Sequence, residues 1–135
     1  MSGVRVLFEG AGLLAVDKPA GMLVIPGRGE GGGPSLREVL EAELKRKVYV
    51  VHRLDRDTSG VMVFALEPAV HRTLSMAFES GKVHKRYLTL VAGRWLNLQQ
   101  HIKLALHKYL TDDGERRVSV SRDGKPAHSI VRLVK

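Results

Sequence analysis

The chain contains no cysteine. That excludes disulfides, zinc–thiolate centres and thiol nucleophiles together, and it fits a reducing compartment. No stretch approaches the roughly 18 to 20 consecutive apolar residues that a membrane helix requires, and no basic segment followed by an apolar run and cleavage site opens the sequence. A cytoplasmic protein with no membrane partner is therefore expected. Internal repeats and coiled-coil heptads are also missing, and the one low-complexity stretch is rich in glycine. Acids are in deficit: 14 Asp and Glu stand against 22 Lys and Arg, a formal charge of +8. A polyanion is the natural partner of such a chain, because neutralising phosphates releases their counterions. A solvated basic face has the same composition, so charge alone names no partner.

What is present reads as globular. With 135 residues, 44% of them hydrophobic and 27% charged, the chain is sized for one domain with a real core. Residues 4–8 and 13–17 pattern as short strands around the turn formers Glu9, Gly10 and Gly12. Lys18-Pro19-Ala20-Gly21 should turn the chain sharply, since proline fixes φ and Gly21 can enter left-handed space. Residues 22–25 then look extended. The five glycines and two prolines of 26–34 predict a flexible loop.

Ser35 and Glu38 form a capping box ahead of a helix over 36–46, with Leu36, Val39, Leu40 and Leu44 on one face. Strands follow at 48–51 and 61–66, and a second helix begins at Pro68 and is ended by Gly81. Residues 87–91, 101–110, 117–121 and 128–134 read as further strands, with turns at 111–115 and Asp123-Gly124. The fold class is α+β: a mixed, mostly antiparallel sheet with two helices.

Chemistry gathers in His52-Arg53-Leu54-Asp55-Arg56-Asp57-Thr58-Ser59-Gly60, between two strands that can present it rigidly. A plain polar connection accounts for Asp57, Thr58 and Ser59, whose side chains cap backbone amides in turns. Asp55 is different. It lies just after a strand and between two arginines that would keep it ionised, and an ionised carboxylate can attack carbon. The six histidines lack the spacing and acidic partners of a metal centre, so no metal is expected.

The run His52 to Gly60 resembles the catalytic signature of RluA-type RNA pseudouridine synthases, in which the aspartate after His-Arg-Leu is essential. Lys18-Pro19-Ala20-Gly21 resembles the family's early lysine-proline-x-glycine motif. Lys85-Arg86-Tyr87 resembles its lysine-x-tyrosine motif, and Gly124-Lys125-Pro126-Ala127 a later glycine-lysine-x-alanine motif. Only the nine-residue signature is specific by itself, but four matches in the right order span most of the chain.

The resemblance implies isomerisation of a uridine in ribosomal or transfer RNA, without a cofactor. Asp55 would attack C1′ of the ribose, attack C6 of the uracil, or remove a ribose proton; the three stay open. Tyr87 would stack on the uracil or take the C5 proton, against a bland reading as an amphipathic core tyrosine. The base must be extruded from its stack, at a cost of a few kcal/mol. Arg53 or Arg56 would fill the vacated space or grip phosphates, unless each merely pairs with Asp55 or Asp57. Lys85, His52, Thr58 and Lys18 complete the expected RNA contacts.

The family's catalytic domain continues past the glycine-lysine-x-alanine motif to a Gly-, Arg- and His-rich motif whose basic residue pairs with the aspartate. Nothing after Ala127 supplies it. One partial catalytic domain over 1–135 is therefore expected, weakly active or inactive alone, with a homodimer through an exposed sheet edge as one way to cover what is missing. The competing classes are a non-catalytic RNA-binding module on this scaffold and a generic basic α/β domain.

Overall fold

Alternation of apolar and polar residues builds the first sheet. In β2 (Leu13–Lys18), Leu14, Val16 and Lys18 all point inward and are buried, while the residues between them face outward. β1 (Arg5–Gly10) folds back on β2 as a hairpin, and β4 (Gly60–Ala65) pairs with its other edge, with Leu14 opposite Phe64 and Val16 opposite Met62. The two-residue β3 (Tyr49–Val50) closes the order β1-β2-β4-β3. A computed structural model describes residues 3–27 and 32–134 of the chain.

The first helix, α1 (Leu36–Leu44), starts where its capping box predicts: Ser35 accepts from the Glu38 amide, and the Glu38 carboxylate accepts from the Ser35 amide at 2.7 Å. Leu36 and Leu40 enter the core. The helix stops at Leu44 because Lys45 turns left-handed, two residues before the end expected from its periodicity. The expected extended segment at 22–25 is not a strand. Its carbonyls serve the helix instead, Leu23 accepting from the Leu36 amide and Val24 from the Arg37 amide, so two of the helix's unpaired first amides are satisfied there.

Together Leu14, Val16, Val24, Leu36, Leu40, Val48, Leu54, Met62, Phe64 and Leu66 form one buried cluster. Each large side chain in it contributes about 1.5–3 kcal/mol by leaving water. The second helix, α2 (Pro68–Glu79), has proline at its first position and ends at Ser80-Gly81, where the Lys82 amide donates to Ala77.

Residues 82–98 contain no helix or strand, which corrects the strand expected at 87–91. Leu90 is 100% exposed and Leu88 is 88% exposed. The alternation there has strand character, but no strand among the described residues pairs with it.

A second sheet follows. β5 (Gln99–Leu110) pairs antiparallel with β6 (Arg116–Val120) through its C-terminal part and with β7 (Lys125–Arg132) through the rest, in the order β6-β5-β7. Thr111 and Gly114 close the expected turn at 111–115. Gly124 is dictated by packing: a Cβ there would lie 2.6 Å from the Leu106 carbonyl oxygen and 2.8 Å from the His107 nitrogen, backbone atoms that cannot yield.

The α+β class with two helices is thus observed, with every strand pairing among the described residues antiparallel and the strands divided between two sheets. The chain clusters into two units, Met1–Tyr87 and Leu88–Lys135, where one partial domain is expected from the sequence. Of the flexible loop expected over 26–34, residues 28–31 lie outside the described residues.

Candidate active site

The connection from β3 to β4 is stitched down residue by residue. His52 continues the line of β3, and its Nε2 accepts the Val63 amide at 3.1 Å where a strand carbonyl would otherwise stand. Its ring stacks on Phe78 of α2, with centroids 4.5 Å apart. Accepting at Nε2 puts the proton of the neutral ring on Nδ1. Burial, and then the positive charge of Lys85, push its pKa below the ordinary histidine value. Leu54 plugs into the core, and the alternation around it leaves Arg53 and Asp55 exposed.

Asp55 opens a turn that closes with the Thr58 amide donating to the Asp55 carbonyl at 3.1 Å. Beneath this turn lies Lys18. Its position two residues beyond Val16 puts it on the inward face of β2, where it is fully buried. Its ammonium donates to the carbonyls of Pro19 at 3.0 Å, Arg56 at 2.9 Å and Thr58 at 2.7 Å. An ammonium has three protons, so each finds an acceptor, the condition on which a buried cation is tolerable. Burial lowers the Lys18 pKa from its ordinary value, and the Asp57 and then Asp55 carboxylates act in the opposite direction.

The early motif completes the clamp. Gly21 adopts φ +86°, a conformation open to glycine, and its amide donates to the Arg56 carbonyl at 2.8 Å. The Arg56 carbonyl thus receives both Lys18 and Gly21, so two motifs separated by some thirty-five residues in sequence are one hydrogen-bonded structure.

Two expectations change here. Lys18 was expected among the RNA contacts, but its ammonium is spent on backbone carbonyls and it supports the turn from behind. Asp55 was expected between guanidinium groups; the ion pairs among the described residues are Arg37–Glu41 and Arg117–Glu115, and neither involves Asp55. The signal was in the sequence: Leu14, Val16 and Lys18 share one period-two face, which places the lysine inside.

The remaining expected residues are exposed apart from Thr58, which is half-buried and gives its carbonyl to Lys18. Arg53 and Arg56 stand on the outer side of the turn, and Lys85 and Tyr87 lie on the irregular segment after α2, with Tyr87 57% exposed. The structure therefore joins Lys18, Gly21, Asp55, Arg56 and Thr58 in one constellation, with His52 anchoring its start. It draws no hydrogen bond between Tyr87 and that constellation. Chemically, the turn offers an exposed carboxylate on backbone that is fixed from below. No group of three or more His, Asp or Glu among the described residues is arranged to hold a metal ion.

A model of the RNA pseudouridylate synthase family matches residues 12–135. The chain belongs to that family. It is 38% identical over 127 residues to ribosomal large subunit pseudouridine synthase C of Pasteurella multocida, covering 93% of this chain and 38% of the relative. The protein of the same name from Yersinia pestis is 40% identical over 130 residues, covering 95% and 40%. The chain therefore spans between 38% and 40% of the length of these relatives. Among solved structures, human RNA pseudouridylate synthase domain containing 1 superposes with a TM-score of 0.76 at 20% identity, over 96% of this chain and 50% of that one. Human RNA pseudouridylate synthase domain containing 4 gives 0.56 at 19% identity, over 93% and 51%.

Proposed function

We propose that this chain carries the aspartate-bearing part of an enzyme that converts a uridine to pseudouridine in large-subunit ribosomal RNA. The observation that carries the reading is the exposed Asp55 carboxylate on a turn held by Lys18 and Gly21, at the position of the family's signature aspartate. The relatives' names supply the RNA class. The family match runs through both units, which supports treating them as parts of one catalytic domain. No helix among the described residues is long and apolar enough to cross a membrane.

In this reading the N1–C1′ bond breaks, the base rotates, and C1′ joins C5. The C5 proton leaves and N1 gains one, so the reaction needs no oxidant and no second substrate. Asp55 is the reacting group. The fixed backbone keeps its carboxylate in place while substrate binds, which lowers the reorganisation that the chemical step requires. Arg53 and Arg56 meet flanking phosphates or fill the gap left by the extruded base. Tyr87 stacks on the uracil, and Lys85 contacts phosphate nearby.

Pseudouridine mapping in the RNA of cells with the wild-type gene, an Asp55→Asn allele or a deletion tests this. One or more uridines should be converted only with the wild type. A map that Asp55→Asn leaves unchanged would overturn the assignment of Asp55. RNA binding without product from either form would point to a binding module instead.

A further inference from the structure

The second sheet has two unlike faces, and the register sorts them. Paired residues in an antiparallel sheet share a face. Ile102, Leu104, Leu106, Leu110, Val118 and Val120 therefore lie on one side, with Lys108, Arg116 and Lys125 among them. The other side carries Lys103, Arg117 and Arg132 together with the rings of His101, His107, Tyr109 and His128, and Ile130 is its one large aliphatic residue. No residue of β5, β6 or β7 is acidic; the acids of this unit sit in its turns.

The rings on the polar side are arranged in two stacks. His101 and His128 lie 5.1 Å apart at 28°, with a 2.9 Å contact between His101 Nδ1 and His128 Nε2. His107 and Tyr109 lie 6.5 Å apart at 9°. Six residues of extended strand separate His101 from His107, about 20 Å at the usual rise. All four rings are exposed. Between the stacks stands Lys103, exposed and without an ion pair, and Arg132 keeps part of its guanidinium free beyond its bond to the Gln99 side chain. Arg117 is held by Glu115.

We infer that this face is a docking platform for an unpaired stretch of RNA, additional to the Asp55 turn, with bases against the rings and phosphates on Lys103 and Arg132. The inference rests on the reading of the protein as an RNA-modifying enzyme. Unpaired RNA is the occupant because exposed rings accept the faces of splayed bases, which a duplex keeps stacked, while cations spaced between the rings meet the backbone. The want of acids on the strands removes the repulsion that would oppose a phosphate chain.

Fluorescence anisotropy with a labelled single-stranded RNA, and with the same sequence as a duplex, tests it on the whole chain. Lys103→Glu with Arg132→Glu should weaken single-strand binding about tenfold or more and make the salt dependence shallower by about two phosphate contacts. Lys108→Glu with Lys125→Glu changes the charge equally on the opposite face of the same sheet, and should shift affinity less than about threefold. Equal weakening by the two pairs, no weakening by the first, or tighter binding of the duplex would overturn the platform.

Should the double variants lose their fold by circular dichroism, photo-crosslinking of the wild-type chain to 4-thiouridine RNA decides. Crosslinks on β5 and β7 polar-face residues support the platform, and their restriction to 52–60 overturns it. Asp55→Asn should leave this binding intact. A failed platform with an Asp55-dependent pseudouridine map, or the reverse, separates this inference from the proposed reaction.

Discussion

The two units use the same strand grammar and reach different ends. In Met1–Tyr87 the inward faces of β2 and β4 meet α1, and the result is a cluster of fully buried side chains. Among the described residues of Leu88–Lys135 no residue is buried, although Ile102, Leu104 and Leu106 recur at alternate positions of β5. The difference lies in the second layer. A sheet is hydrophobic on one face and gains stability only when something covers that face, and an isolated three-stranded sheet has little core of its own. The catalytic-signature turn sits on the unit that has the core, where its backbone can be held still.

This contrast is sharpest in the response to truncation of apolar side chains. Phe64→Ala should cost about 3–5 kcal/mol of unfolding free energy in a urea titration, against less than about 1 kcal/mol for Leu104→Ala in β5. Similar losses for both would mean that the second sheet is packed as tightly as the first. Next in size is the clamp. Lys18→Met keeps the apolar stem but leaves the Arg56 and Thr58 carbonyls without the ammonium, at about 2–4 kcal/mol, and hydrogen exchange at the Thr58 and Gly21 amides should accelerate. Unchanged exchange there would show that the turn holds its shape without the lysine.

Gly124→Ala probes the other unit. The added methyl meets the β5 backbone, so about 2 kcal/mol of local strain should open β7 to limited proteolysis while the melting of the first unit stays put. The smallest effect expected is a pH dependence. His52 is neutral in the fold with its pKa lowered, so below the ordinary value of 6.5 the unfolded chain binds more protons than the folded one. Its contribution is complete above that value and is lost as pH falls through the lower folded pKa. Urea midpoints at pH 7.5 and 5.0 should differ more in the wild type than in His52→Gln, whose amide oxygen can still accept from Val63. Equal differences would remove His52 from this role.

Much of this arrangement is legible in local pattern. The capping box placed α1, Pro68 and Gly81 bounded α2, and the turn residues at 111–115 located the β5–β6 hairpin, whereas Asp123-Gly124, read as a second hairpin turn, joins two strands that both pair with β5 and not with each other. The signature named the turn that the fold exposes. What local pattern misread was partnership. Residues 22–25 and 87–91 have strand composition, yet the first lends its carbonyls to a helix and the second has no paired strand. Arginines adjacent in sequence were taken as the partners of Asp55, yet no ion pair joins them among the described residues.

By itself, then, the order of residues determined the periods, caps and turns, and with them the kinds of element and the identity of the exposed acid, because those depend on neighbours a few residues apart. Only the tertiary structure decided that Lys18 lies beneath the Asp55 turn and that His52 substitutes for a strand carbonyl. Both depend on which distant backbone groups are brought within hydrogen-bond reach, a matter of sheet order and register.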